Sequence, residues 1–293
     1  MKTALRRSVP PWLKALLTAR MKARLRALLR IEPWPDLAVR HPLFRSSEYR
    51  RLRGASRAFD VEKPNKPILE RGHQTSFVLA RWFAEAGVGR AFHVGYANGR
   101  YVFYLSAAGI QCGGTDLPEK DTAWVQVPEG SLDAATRRRL LRLDFFRLTP
   151  AHLDALWDES APTPVSVLFS EATFETLLPW RASAASVPGY LTLDPRELRA
   201  LMHERFPRKL EELKDSVRNM VFIEPEPGAG GAGAVFDACA RRLADRTYTV
   251  WKFRPPLDRL FRLSPRHPTR QTVYAFTRDG CLLDALRAYA DPL

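Results

Sequence analysis

Apolar residues in this chain follow two rhythms. Short unbroken apolar runs alternate with stretches in which apolar residues recur every three or four positions. That alternation predicts buried strands separated by amphipathic helices. The clearest case spans Arg90 to Asp116. Ala91 to Val94 is a short apolar run, and Gly95-Tyr96-Ala97-Asn98-Gly99 is a glycine-punctuated turn. Arg100 to Ala108 is helix-length and closed by Gly109, and a second apolar run ends in an acid, Asp116. Further strands are predicted from Val165 to Glu171, from Asn219 to Glu224, from Thr247 to Phe253 and from Gln271 to Thr277. Helices are predicted from His73 to Ala86, from about Pro195 to Arg218, and from Ala234 to Ala244. Residues 33–66 are rich in Pro and Arg with little periodicity, which predicts an irregular connector.

Residues 11–31 carry a third pattern. Leu13, Leu16, Leu17, Met21, Leu25, Leu28 and Leu29 recur near helical spacing, with Lys and Arg filling other positions. Pro10-Pro11 would start this helix, and Pro33 and Pro35 would stop it. The first expectation is a lid or a homo-oligomer contact whose Leu face packs on protein. The second is a helix lying on an anionic membrane surface, and a third is an Arg-rich transit peptide. The segment lacks the apolar core and small-residue cleavage site of a secretory signal.

Charge follows this division. Residues 1–60 hold 15 Lys/Arg against 4 Asp/Glu, so +11 of the net +14 resides there. The rest of the chain is close to neutral, which argues against a nucleic-acid enzyme with positive charge spread around its cleft. At 293 residues, 45% hydrophobic, the chain can bury one sizeable domain plus an appendage. The three cysteines, Cys112, Cys239 and Cys281, have neither metal-ligand spacing nor an even count, which points to a reducing, cytoplasmic setting. No apolar run approaches the roughly 18–20 residues needed to span a bilayer.

Strand, glycine turn, helix, strand and terminal acid form the pattern of a nucleotide-binding βαβ unit. The spacing here is G-x-x-x-G with Ala97 between the glycines. This resembles motif I of the class I S-adenosylmethionine-dependent methyltransferases, with Gly95, Ala97 and Gly99 on its small positions and Asp116 on its ribose-binding acid. One departure is His93, where many members carry Asp or Glu, and it bears on the methionine end of the cofactor. The resemblance continues in Leu141-Arg142-Leu143-Asp144-Phe145-Phe146, where the family places an acid and an apolar residue at the adenine. It covers about residues 73–293, through the run Val165–Glu171 and a closing antiparallel hairpin. Asp116-Leu117-Pro118 followed by Glu119 is also similar to sugar and other small-molecule O-methyltransferases.

The resemblance implies a seven-stranded, doubly wound α/β sheet with a basic helical extension over 1–72 and a methyltransferase domain over 73–293. Residues 180–218 would be an acceptor-side insertion. The implied cofactor is S-adenosylmethionine, held by His93, Gly95, Tyr96, Ala97, Asn98, Gly99, Asp116, Leu117, Asp144, Phe145 and Ser170. The implied acceptor is a small molecule, methylated at oxygen, with no metal. Reaction in such sheets takes place beyond the carboxyl ends of the strands. Glu171 is therefore the first candidate carboxylate, its alternative being a helix N-terminal acid. Glu175 lies one turn further on, and His73 is a candidate base from the covering helix or simply a helix N-terminal residue. Phe174, Trp180 and Tyr190 are candidates for lining an acceptor pocket.

Two rival readings carry opposing observations. Gly228-Ala229-Gly230-Gly231-Ala232-Gly233 matches G-x-G-x-x-G. Yet Glu224-Pro225-Glu226-Pro227 intervenes and would repel a pyrophosphate, and the next strand ends Lys252-Phe253-Arg254 without an acid. An RNA methyltransferase recruited by the basic N-terminus is a second rival. The loop Ser170-Glu171-Ala172-Thr173-Phe174 lacks the Asn/Asp-Pro-Pro-aromatic pattern of adenine methylation. A catalytically silent binding module is a third possibility of another class.

Overall fold

The computed structural model describes residues 40–62, 66–116, 126–157, 165–171, 201–225, 232–243, 248–261, 271–278 and 280–290. The expected helix at 11–31, Leu117, Phe174, Glu175, Trp180, Tyr190, Glu226 and the glycines 228–231 lie outside them.

Seven strands form one sheet: β1 Arg90–Val94, β2 Gln111–Asp116, β3 Leu140–Arg142, β4 Val165–Glu171, β5 Val217–Pro225, β6 Thr249–Phe253 and β7 Gln271–Thr277. Their order is β3-β2-β1-β4-β5-β7-β6. The first five pair in parallel, and β7 runs antiparallel to both β5 and β6. Reversal between β1 and β4 creates a crevice at the carboxyl ends of the strands, where ligands of open α/β sheets bind. The central strands are covered on both faces, so they need apolar residues at successive positions. All seven residues of β7 are buried.

Helices cover both faces. On one side lie α1 Ser47–Ala55, α2 Lys66–Glu85, α3 Arg100–Ala107 and α8 Gly280–Ala288, packed around Phe77, Trp82, Phe83, Tyr104 and Leu286. On the other, α5 Pro150–Asp154, α6 Phe206–Leu213 and α7 Ala232–Leu243 enclose Phe92, Phe206, Phe222 and Phe236. A short α4, Ala134–Arg138, precedes β3. Full burial of Phe77 and Phe83 contributes about 1.5–3 kcal/mol each. Helix α2 is tied to distant chain: the Trp82 indole donates to the Leu286 carbonyl at 2.7 Å, and Arg71 donates to the Leu260 carbonyl.

Three sequence expectations shift. Residues 42–62 are helical, with a 3-10 turn at Pro42–Arg45, then α1, then a 3-10 stretch at Ser56–Glu62. Ser46 caps α1 by accepting from the Tyr49 amide at 3.1 Å, Tyr49 and Leu52 supply its buried positions, and Phe59 is the buried apolar residue of the 3-10 stretch. Three apolar anchors among many arginines leave no visible period. The helix expected to start at His73 starts at Lys66, so it runs through the boundary placed at residue 72, and Tyr49 and Leu52 share its core cluster. The helix expected to reach Arg218 ends at Leu213 after a π-helical turn at Leu201–Arg205. Val217 is fully buried and pairs with Val165, so it belongs to β5. No described helix is long and apolar enough to cross a membrane.

Candidate functional site

At the end of β1 the chain turns through three left-handed residues, Gly95 (φ 78°), Ala97 (φ 48°) and Gly99 (φ 82°). Glycine takes this conformation freely, whereas Ala97 pays roughly 1–2 kcal/mol for it. A hydrogen bond holds it there: the Ala97 amide donates to Asp116 Oδ2 at 2.7 Å. The Gly95 amide donates to the Thr115 carbonyl at 2.7 Å, fastening the turn to β2. Asp116 and Tyr96 are both buried, and burial followed by the Asp116 charge raises the Tyr96 phenol.

Asn98 is 5% exposed. Its Oδ1 accepts from the Arg100 amide at 3.1 Å, while Nδ2 has no hydrogen-bond partner among the described residues. A buried donor left unpaired costs about 1–3 kcal/mol, so the position suits a bound group that accepts from it.

Beneath the turn the His93 ring stacks on Phe169 with centroids 4.4 Å apart and planes 2° from parallel, and its edge meets Tyr101 at 5.2 Å. The Tyr101 hydroxyl donates to Glu171 Oε2 at 3.0 Å. Burial, then the Glu171 charge, holds the Tyr101 phenol well above its usual range, against the opposing charges of Arg100 and Arg71. The phenol is therefore a permanent donor, and it fixes one oxygen of a carboxylate at the tip of β4. Neighbouring strand residues face opposite sides. Ser170 accordingly turns from Glu171 and donates to Glu224 Oε1 at 3.2 Å, both residues fully buried.

Asp144 caps the 3-10 turn Phe145–Arg147, accepting from the Phe146 amide at 2.9 Å. Phe145 and Phe146 are buried, and Phe145 lies against Phe206 with ring centroids 6.0 Å apart. His73 sits inside α2, not at its start, and is fully buried. Its Nε2 lies 2.9 Å from Asp60 Oδ1. Because that carboxylate only accepts, Nε2 carries the proton and Nδ1 accepts, with the Tyr104 and Ser56 hydroxyls 3.2 and 3.1 Å away. Burial, then the charges of Arg100 and Arg53, pushes the His73 pKa down to about 3. Arg53 joins Asp60 to Glu70, which accepts from the Tyr49 hydroxyl.

The structure thus gathers the turn, Asp116, His93 and Glu171 at one crevice and gives His73 its own network. Sequence reasoning missed Tyr101. The available signal was a tyrosine on the buried face of α3, whose hydroxyl needs a partner.

Sheet order and reversed β7 decide the architecture. The fold is that of the class I S-adenosylmethionine-dependent methyltransferases. No family model matches the chain, and no curated protein matches it. Solved structures similar to it include magnesium protoporphyrin IX methyltransferase from Synechocystis PCC 6803 with bound S-adenosylhomocysteine. That match has 14% identity and a TM-score of 0.45, covering 83% of this chain and 100% of the other. Another is the O-methyltransferase TomG from Streptomyces achromogenes, involved in tomaymycin synthesis and bound to S-adenosylmethionine. It matches at 11% identity and TM-score 0.41, over 89% of this chain and 96% of the other. The small RNA methyltransferase HEN1 matches at 11% identity and TM-score 0.42, over 70% of this chain and 25% of the other.

Proposed function

We propose that this chain is an S-adenosylmethionine-dependent methyltransferase acting on an oxygen of a small-molecule acceptor. The observation that carries the reading is the left-handed turn latched to Asp116, with the unpaired Asn98 amide buried inside it. Bound there, the cofactor supplies an electrophilic methyl group. Asp116 accepts from a ribose hydroxyl as well as from Ala97, a carboxylate having about four lone-pair sites. Gly95, Tyr96, Ala97, Asn98 and Gly99 form the cradle. His93 and Ser170 would support its walls, and Asp144 and Phe145 would flank the adenine. Glu171 takes the proton that the acceptor hydroxyl gives up, in a direction set by Tyr101. The base is assigned to Glu171 rather than to His73, whose ring is enclosed. Holding acceptor and donor in line supplies much of the remaining acceleration.

Calorimetry on the full chain tests this. S-adenosylhomocysteine should bind in the micromolar range, about −8 kcal/mol. Tight NAD binding with no response to S-adenosylhomocysteine would overturn the cofactor assignment. Transfer of labelled methyl to RNA, but to no small hydroxylated compound, would overturn the acceptor class.

A further inference from the structure

We infer that Arg100 receives the amino-acid carboxylate of the bound cofactor, and that Gly72 is glycine to make room for it. This rests on the function proposed above. Arg100 is the first residue of α3, and its amide is held by Asn98. Its side chain crosses to α2, where Nε donates to Ser76 Oγ at 3.3 Å. The guanidinium lies over Gly72. A Cβ there would stand 2.6 Å from Nη2, 2.7 Å from Cζ and 2.8 Å from Nη1, nearer than packed atoms come.

Gly72 lies within a twenty-residue helix, where glycine costs about 1 kcal/mol against alanine. The helix gives up that stability at a residue over which the guanidinium lies. Nη1 and Nη2 have no hydrogen-bond or ion-pair partner among the described residues, although Arg100 is partly buried. A guanidinium fork matches a carboxylate in two parallel hydrogen bonds. Its charge reaches the adjacent Tyr101, two residues on from the turn. Where the resembling family commonly carries an acid, this chain has His93, its ring packed against Phe169 and Tyr101. The polar contacts for the amino-acid end therefore come from α3 and α2.

Two ligands separate this role from a structural one. S-adenosylhomocysteine carries the carboxylate, and 5′-methylthioadenosine keeps the nucleoside and sulfur without the amino acid. Calorimetry on the full chain should show Arg100→Gln weakening the first by about 10–100-fold, with the second within about twofold of wild type. Gly72→Ala should shift the same ligand in the same direction by displacing the guanidinium without removing it. Equal weakening of both ligands by Arg100→Gln, or no change in either, would overturn the assignment. If Arg100→Gln fails to fold by its melting curve, the Gly72→Ala ratio decides alone. A wild-type chain that binds neither ligand refutes the cofactor reading itself, and this assignment with it.

Discussion

Two polar regions of this molecule, each only partly buried, are finished differently. In the network Tyr49–Glu70–Arg53–Asp60–His73–Ser56–Tyr104, every one of those side chains has a partner within the network. In the turn from Gly95 to Arg100, the buried Asn98 amide has none among the described residues, and the partly exposed Arg100 guanidinium bonds through Nε alone, to Ser76. Folded chains rarely leave buried donors unpaired without a reason. A closed network therefore signals architecture, whereas an open one on a left-handed turn signals a ligand. Both contain titratable residues in conspicuous places, so residue type alone does not tell them apart.

The comparison breaks most visibly at Glu171. Glu171→Gln should lower turnover by roughly 10²–10⁴-fold if the carboxylate takes the acceptor proton, with S-adenosylhomocysteine affinity nearly unchanged. Full activity would make Glu171 only the partner of Tyr101. Next, Asp116→Ala should weaken nucleoside binding by about 1–3 kcal/mol, through the lost ribose contact and the released Ala97 amide. Asp116→Asn keeps an acceptor for Ala97 and should recover part of that loss. A falling melting temperature with unaltered affinity would place Asp116 among the architectural groups.

The closed network should respond in the opposite sense. His73→Gln should cost about 1–2 kcal/mol in denaturant melts while leaving ligand affinity intact. It also tests a pH dependence. The folded pKa of His73, about 3, lies below its unfolded value of 6.5, so between them the unfolded chain binds a proton that the native chain does not. Stability from this group is complete above pH 6.5. It falls as pH drops toward 3, by at most about 1.4 kcal/mol per pH unit. His73→Gln should flatten that slope, and an unaltered slope would mean His73 is not held neutral. The smallest effect is expected at Ser46→Ala, about 1 kcal/mol from the lost cap of α1.

Legibility followed the range of the interactions. β4 and β7 were readable to the residue, because a doubly covered strand carries an apolar centre, here Val167–Phe169 and Val273–Phe276, with polar residues only towards its ends. The turn and Asp116 were readable because local backbone conformation demands small residues at fixed spacing. Residues 42–62 were not, since α1 is secured by two buried side chains and its arginines, Arg53 above all, by acids 7 and 17 positions away. Tyr101 with Glu171, and Arg100 over Gly72, are meetings of separate elements. No spacing in the chain announces them.

The hydrogen bond from Trp82 to the carbonyl of Leu286 joins residues 204 positions apart. At ordinary synthesis rates of about 5–20 residues per second, roughly 10–40 s pass between the emergence of the two. Throughout that interval α2 has left the ribosome with Phe77, Trp82 and Phe83, spread round the helix and buried in the finished fold, and only part of their seat in existence. Such a nascent chain is a natural client for a holding chaperone, and a message truncated before the codon for Leu286 would yield a product with exposed aromatic side chains on α2. The helix α2 is made early and seated late.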